Sequence, residues 1–108
     1  MNPIVFLGDS LARVRAFSES ARRSAGYQLE RVQRGLEPDD WKPMTIIGEG
    51  VREIRVRDAS GAYRVIYLAS VRDAVFVLHA FAKKSQRTPV TDIKLATMRL
   101  KELKRRQR

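Results

Sequence analysis

The stretch from Val51 to Pro89, VREIRVRDASGAYRVIYLASVRDAVFVLHAFAKKSQRTP, constrains this chain most, because it predicts three short strands in close succession. In Arg52-Glu53-Ile54-Arg55-Val56-Arg57 polar and apolar residues alternate with period two, the pattern of a strand with one buried face and one solvated, charged face. Asp58 to Ala62 is turn chemistry: Asp58 and Ser60 can bond the local backbone, and Gly61 tolerates positive φ. Tyr63 to Ala69 is rich in aromatic and β-branched residues, so the two runs form a hairpin. After a second break at Ser70-Val71-Arg72-Asp73, the nearly continuous apolar run Val75 to Phe81 predicts a central strand covered on much of both faces. It leads straight into Ala82-Lys83-Lys84-Ser85-Gln86-Arg87 and so delivers cations to the edge of the sheet.

The flanking segments read as helices, with one short strand before them. Pro3 to Leu7 suits a first strand ending at Gly8. Asp9 or Ser10 then caps a helix carrying Leu11, Val14 and Phe17, and Ser18 offers a second cap. Ala21, Ala25, Leu29, Val32 and Leu36 continue at helical spacing until Gly35 gives a stop, so the region is two helices or one broken near Ser18. Glu37 to Pro43 reads as a loop with Trp41 lying over the core, Met44 to Ile47 as a short strand or a crossing segment, and Gly48-Glu49-Gly50 as a turn. The last helix has the clearest signature: Thr88 as N-cap, Pro89 in the first turn, Asp92 at the positive end, and an apolar stripe of Ile93, Ala96, Leu100 and Leu103. The basic tail, residues 101–108, fits a fraying, solvated end or a phosphate-binding arm.

A chain of 108 residues is expected to form a single domain over residues 1–108, burying about 65% of its unfolded surface. The absence of cysteine excludes disulfides, thiolate catalysis and cysteine-based metal sites, and fits a cytoplasmic location. No apolar run reaches a membrane span and no signal peptide opens the chain, so no membrane partner is expected. The 22 Lys and Arg against 12 Asp and Glu give a formal charge of +10, which favours a polyanionic partner: RNA, DNA, a ribosome or an acidic protein.

A single histidine cannot build a multi-histidine metal site, and neither a GxSxG motif nor a P-loop occurs. What remains is a sheet carrying Arg55, Arg57, Tyr63, Arg64, Tyr67, His79, Phe81, Lys83 and Lys84. That set suits cleavage of RNA by its own 2′-hydroxyl, which needs a base, an acid and cations around the phosphate but no metal or cofactor. Aromatic rings can also hold an unpaired base by stacking.

These same residues carry a family resemblance. EIRVRDASGAYRVIYLA followed by VFVLHAFAKKSQRTPVTDIKLA resembles the RelE/ParE toxin superfamily, in particular its HigB-like, phage-protein-related branch. Its most specific pieces are Glu53-Ile54-Arg55, Arg64-Val65-Ile66-Tyr67 and Leu78 to Lys84, ending in Thr88-Pro89. The resemblance implies an α+β fold: two amino-terminal helices and a carboxy-terminal helix against a small antiparallel sheet. It also implies the toxin of a type II toxin-antitoxin pair that cleaves messenger RNA on the ribosome and is silenced by a cognate antitoxin, a helix-turn-helix (Xre/HigA-like) protein. Arg64 transfers as the phosphate-binding arginine, with His79, Tyr67 and Lys83 as further catalytic candidates and Arg55, Arg57, Phe81 and Lys84 as substrate contacts.

Each residue also has a plainer reading. His79 between apolar neighbours fits a satisfied structural group, Tyr67 fits core packing, Arg55 fits a surface pair with Glu53, and Lys83 and Lys84 fit solvated strand-end charges. Two rival functions stay open: a ParE-like toxin that inhibits DNA gyrase by binding, and a noncatalytic basic phage-related protein that binds nucleic acid.

Overall fold

A computed structural model describes residues 1–69 and 74–106. In order it contains β1 (Ile4–Phe6), α1 (Ser10–Arg15), α2 (Glu19–Gln33), β2 (Trp41–Pro43), β3 (Val51–Asp58), β4 (Gly61–Ala69), β5 (Val75–Lys83) and α3 (Val90–Arg106). The fold is α+β, with one sheet in the order β1-β5-β4-β3-β2. β2 to β5 pair antiparallel, but β1 runs parallel to β5, so the sheet is mixed. The middle strand is β4, and β5 lies between it and β1. The expected break at 70–73 falls outside the described residues.

Alternation along the strands sorts their side chains onto two covered faces. Ile54, Val56, Val65, Tyr67, Val75, Val77 and Ala80 meet the stripe Val14, Phe17, Ala21, Ala25, Leu29 and Val32 of α1 and α2. On the other face Val51, Ile66, Leu78 and Phe81 meet Ala96 and Leu100 of α3, with Met44 and Ile47 closing the end. Burying each large apolar side chain contributes about 1.5–3 kcal/mol, so this double-sided packing holds the sheet more than strand propensity does. The charged face expected for β3 is therefore only part solvated: Glu53 is buried under the helix side, whereas Arg57 at the far end is exposed.

Local chemistry explains the helix boundaries. Ser18 accepts a hydrogen bond from the Ala21 amide at 3.2 Å and donates to the Asp58 carboxylate, so the cap of α2 also ties down the β3–β4 turn. Gly35 ends α2 at φ +81°, and Leu36, beyond the stop, is exposed rather than part of the stripe. In α3 Ala96, Leu100 and Leu103 of the expected stripe are buried and Ile93 is partly buried, but Thr88 does not cap: the Pro89 carbonyl accepts from Asp92 and Ile93, and the Thr88 hydroxyl goes to Glu53 at 3.0 Å. Trp41 opens an edge strand instead of sitting in a loop, with the Arg52 guanidinium 4.0 Å above its ring, and Met44 to Ile47 form a turn.

Candidate functional site

Strand pairing lays the side chains on the α3 side of the sheet out in rungs across β3, β4 and β5. Glu53, Ile66 and His79 make one rung, Arg55, Arg64 and Phe81 the next, and Arg57, Ala62 and Lys83 the last. The first rung is buried under α3, and the last is partly open. At this open end Arg55, Arg57, Ala62, Arg64 and Lys83, with Lys84, Ser85 and Gln86 from the segment after β5, line a groove of about 520 Å³. Arg57, Lys83 and Lys84 have no carboxylate partner among the described residues.

Arg64 is the most enclosed cation of the groove, at 6% exposure. Its Nη1 donates to the Tyr63 carbonyl at 3.0 Å, and its Nε stands 3.3 Å from Glu53 Oε1. Burial lowers its pKa, Glu53 works against that shift, and Arg55 and Arg57 add to it. The pKa of Lys83 is also lowered, by burial first and then by neighbouring Arg64. A lysine so placed gives up its proton more readily than a solvated one, which suits proton transfer. Arg55 does not pair with Glu53; its Nη1 reaches Asp40 at 4.0 Å, while Lys42 stands 3.8 Å from Glu53.

Three other candidates lie elsewhere. Tyr67 faces the opposite side of the sheet at 1% exposure, packed with Val65 against α2, because it is three residues from Arg64 on a strand of period two. Phe81 is buried and stacked on His79, ring centroids 5.5 Å apart, so it presents no face to the groove.

His79 is fully buried beneath α3. Leu78 has no partner in the β4 register, and this bulge turns Leu78 and His79 toward the same face. His79 Nε2 is 2.6 Å from Asp92 Oδ1, and Nδ1 is 3.5 Å from Arg99 Nη1. Since Arg99 can only donate, the arrangement assigns the ring proton to Nε2, facing Asp92. Arg99 itself donates to the Leu78 carbonyl at 2.9 Å and to Asp9 at 2.6 Å, and Asp9 also accepts from Arg13 at 2.9 Å. This chain of contacts joins α3, β5 and the start of α1.

Burial holds the His79 pKa below 6.5, while Asp92 pulls it the other way. The folded protein then binds this proton less readily than the unfolded chain, so stability is full above the unfolded value and falls as pH drops below about 6.5. The melting temperature is expected to decline between pH 7.5 and 5, and His79→Gln to flatten that slope. A His79→Gln chain with the wild-type slope would show that other groups cause it.

The sequence reading took Asp9 and Thr88 for helix caps and did not single out Arg99, whereas the structure uses all three in side-chain contacts between distant segments. Arg99 carried a signal: it lies three residues after Ala96 and four before Leu103, inside the buried stripe. The amino-terminal cations are less available than their number suggests, since Arg23 pairs with Glu19, Arg34 with Glu30 and Arg31 with Asp39.

Sheet and groove together define a small α+β protein with an open cationic site. Among the described residues no group of three or more His, Cys, Asp and Glu is gathered as a metal site requires, and no helix is long and apolar enough to cross a membrane. Residues 12–101 match the family described as phage derived protein Gp49-like (DUF891), and the chain belongs to that family. It is a family of RelE-like, toxin-like proteins. No curated protein matches the chain.

Proposed function

We propose that this chain is the HigB-like toxin of a type II toxin-antitoxin pair, a metal-independent endoribonuclease that cleaves messenger RNA on the ribosome and stops translation in the cytoplasm. The observation that carries this reading is the gathering of Arg55, Arg57, Arg64, Lys83 and Lys84 around one open groove. Such a groove can grip a single-stranded backbone at successive phosphates.

In the proposed reaction the substrate 2′-oxygen attacks the adjacent phosphorus. A bond forms from O2′ to phosphorus, the bond to the 5′-oxygen breaks, and the products are a 2′,3′-cyclic phosphate and a 5′-hydroxyl. Lys83 at the groove edge, in its neutral form, takes the proton of the 2′-hydroxyl and hands it to the leaving 5′-oxygen, a cycle its lowered pKa favours. Arg64 offers its fork to the non-bridging oxygens as charge builds there. His79 and Tyr67 act through the fold in this scheme. A helix-turn-helix antitoxin is the proposed partner that silences the groove.

Expression of the chain alone tests the reading. Incorporation of labelled amino acids is expected to stop within minutes, with new messenger ends bearing 2′,3′-cyclic phosphates. Continued protein synthesis with DNA breaks would replace this reading by gyrase inhibition.

A further inference from the structure

Glu53 is the one fully buried carboxylate beside the groove among the described residues. Its Oε2 accepts the Thr88 hydroxyl at 3.0 Å, whereas its Oε1 lies 3.3 Å from Arg64 Nε without an aligned hydrogen bond. Neither that oxygen nor Arg64 Nε has another hydrogen-bond partner, and Arg55 Nε is buried without one too. Buried polar atoms are nearly always bonded, so three such atoms at one groove edge demand a reason. Arg55 and Arg64 also stand directly opposite each other on β3 and β4, an unfavourable like-charge pair that a carboxylate on the next rung offsets.

We infer that Glu53 is a positioning residue: it aims the Arg64 guanidinium into the groove and, through Thr88, ties down the chain that follows Lys83. This inference rests on the proposed RNA-cleaving role of the groove. One carboxylate oxygen is fixed by a neutral hydroxyl on the β5–α3 connection, and the other attracts Arg64 by charge without occupying its fork. The guanidinium is thus held at one fork tip, Nη1, by the Tyr63 carbonyl and drawn at its stem, Nε, by Glu53, with donors left to close on a phosphate. Charge attraction is strong at this depth because little water screens it.

Glu53→Gln separates aim from charge, since it keeps the shape and an acceptor for Thr88 but removes the negative charge. A carboxylate that only neutralised the groove would, once removed, strengthen RNA binding and leave the reaction rate unchanged. The positioning role predicts a split. Glu53→Gln should bind an uncleavable 2′-O-methyl RNA at least as tightly as wild type, while kcat falls on the order of tenfold or more. Glu53→Asp, which keeps the charge, should recover part of that loss.

The Arg64 Nε–H resonance, followed by NMR without substrate, should shift and broaden in Glu53→Gln. Thr88→Val should show a smaller change of the same kind and serves if Glu53→Gln does not fold. Unchanged kcat with an unmoved Arg64 resonance overturns the inference, as does a parallel loss of binding, kcat and melting temperature. Should the wild-type chain leave RNA intact, the groove reading falls, and the resonance alone decides whether Glu53 aims Arg64.

Discussion

Replacing Arg64 by alanine is expected to abolish growth arrest and to slow RNA cleavage on the order of a hundredfold or more, the usual loss when one positioned donor at a charged transition state is removed. The expectation comes from its place: Arg64 is on the middle strand, between Arg55 and Phe81 in its rung, and among the described residues it is the groove cation that pairs with the buried Glu53, whose other cationic neighbour, Lys42 on β2 at 3.8 Å, lies outside the groove. Arg64→Ala also leaves Glu53 with less compensation in a buried site, so some stability is lost with the activity. Arg64→Lys separates the two effects. It keeps the charge near Glu53 but not the planar fork, and should fold like wild type while cleaving far more slowly. A folded Arg64→Ala chain that still arrests growth would remove Arg64 from the mechanism.

The largest stability effect is expected at Arg99. This residue is 9% exposed and its guanidinium serves the Leu78 carbonyl, Asp9 and the His79 ring at once. Arg99→Ala strands those acceptors and leaves a void under α3, which should cost on the order of 2–4 kcal/mol. For a chain of this size the melting temperature then falls by roughly 10 °C or more. Gly8 reports the same anchor from the other side: with φ +53°, a side chain there would place its Cβ 2.5 Å from Arg99 Nε. Urea titration with an unchanged slope is the measurement, and a loss below about 0.5 kcal/mol would mean that α3 is held by its apolar stripe alone.

Much of the architecture was legible because it rests on local periodicity. The period of two in Arg52 to Arg57 and the turn at Asp58 to Gly61 define β3, β4 and their hairpin, and the stripe Ala96, Leu100 and Leu103 defines the buried side of α3. The same period already separated Tyr67 from Arg64, since residues three apart on a strand face opposite ways. β2 escaped because a three-residue edge strand that itself ends in Pro43 has no pattern long enough to read, and its pairing with β3 joins segments distant along the chain.

By itself the sequence determined the hairpin, the helical stripes and the delivery of Lys83 and Lys84 to the end of a buried strand, since each follows from neighbours along the chain, while the α+β class came from the family resemblance. Tertiary structure decided which charges are enclosed and which are open. Thr88 carries the signature of a helix cap, yet its hydroxyl is claimed by Glu53 from 35 residues away. His79 looks reactive in a strand of apolar residues, but a bulge at Leu78 turns it beneath α3 between Asp92 and Arg99. Burial and partner choice for a polar group depend on what the fold brings across from distant segments, because the cost of an unpaired buried charge is set by its full surroundings.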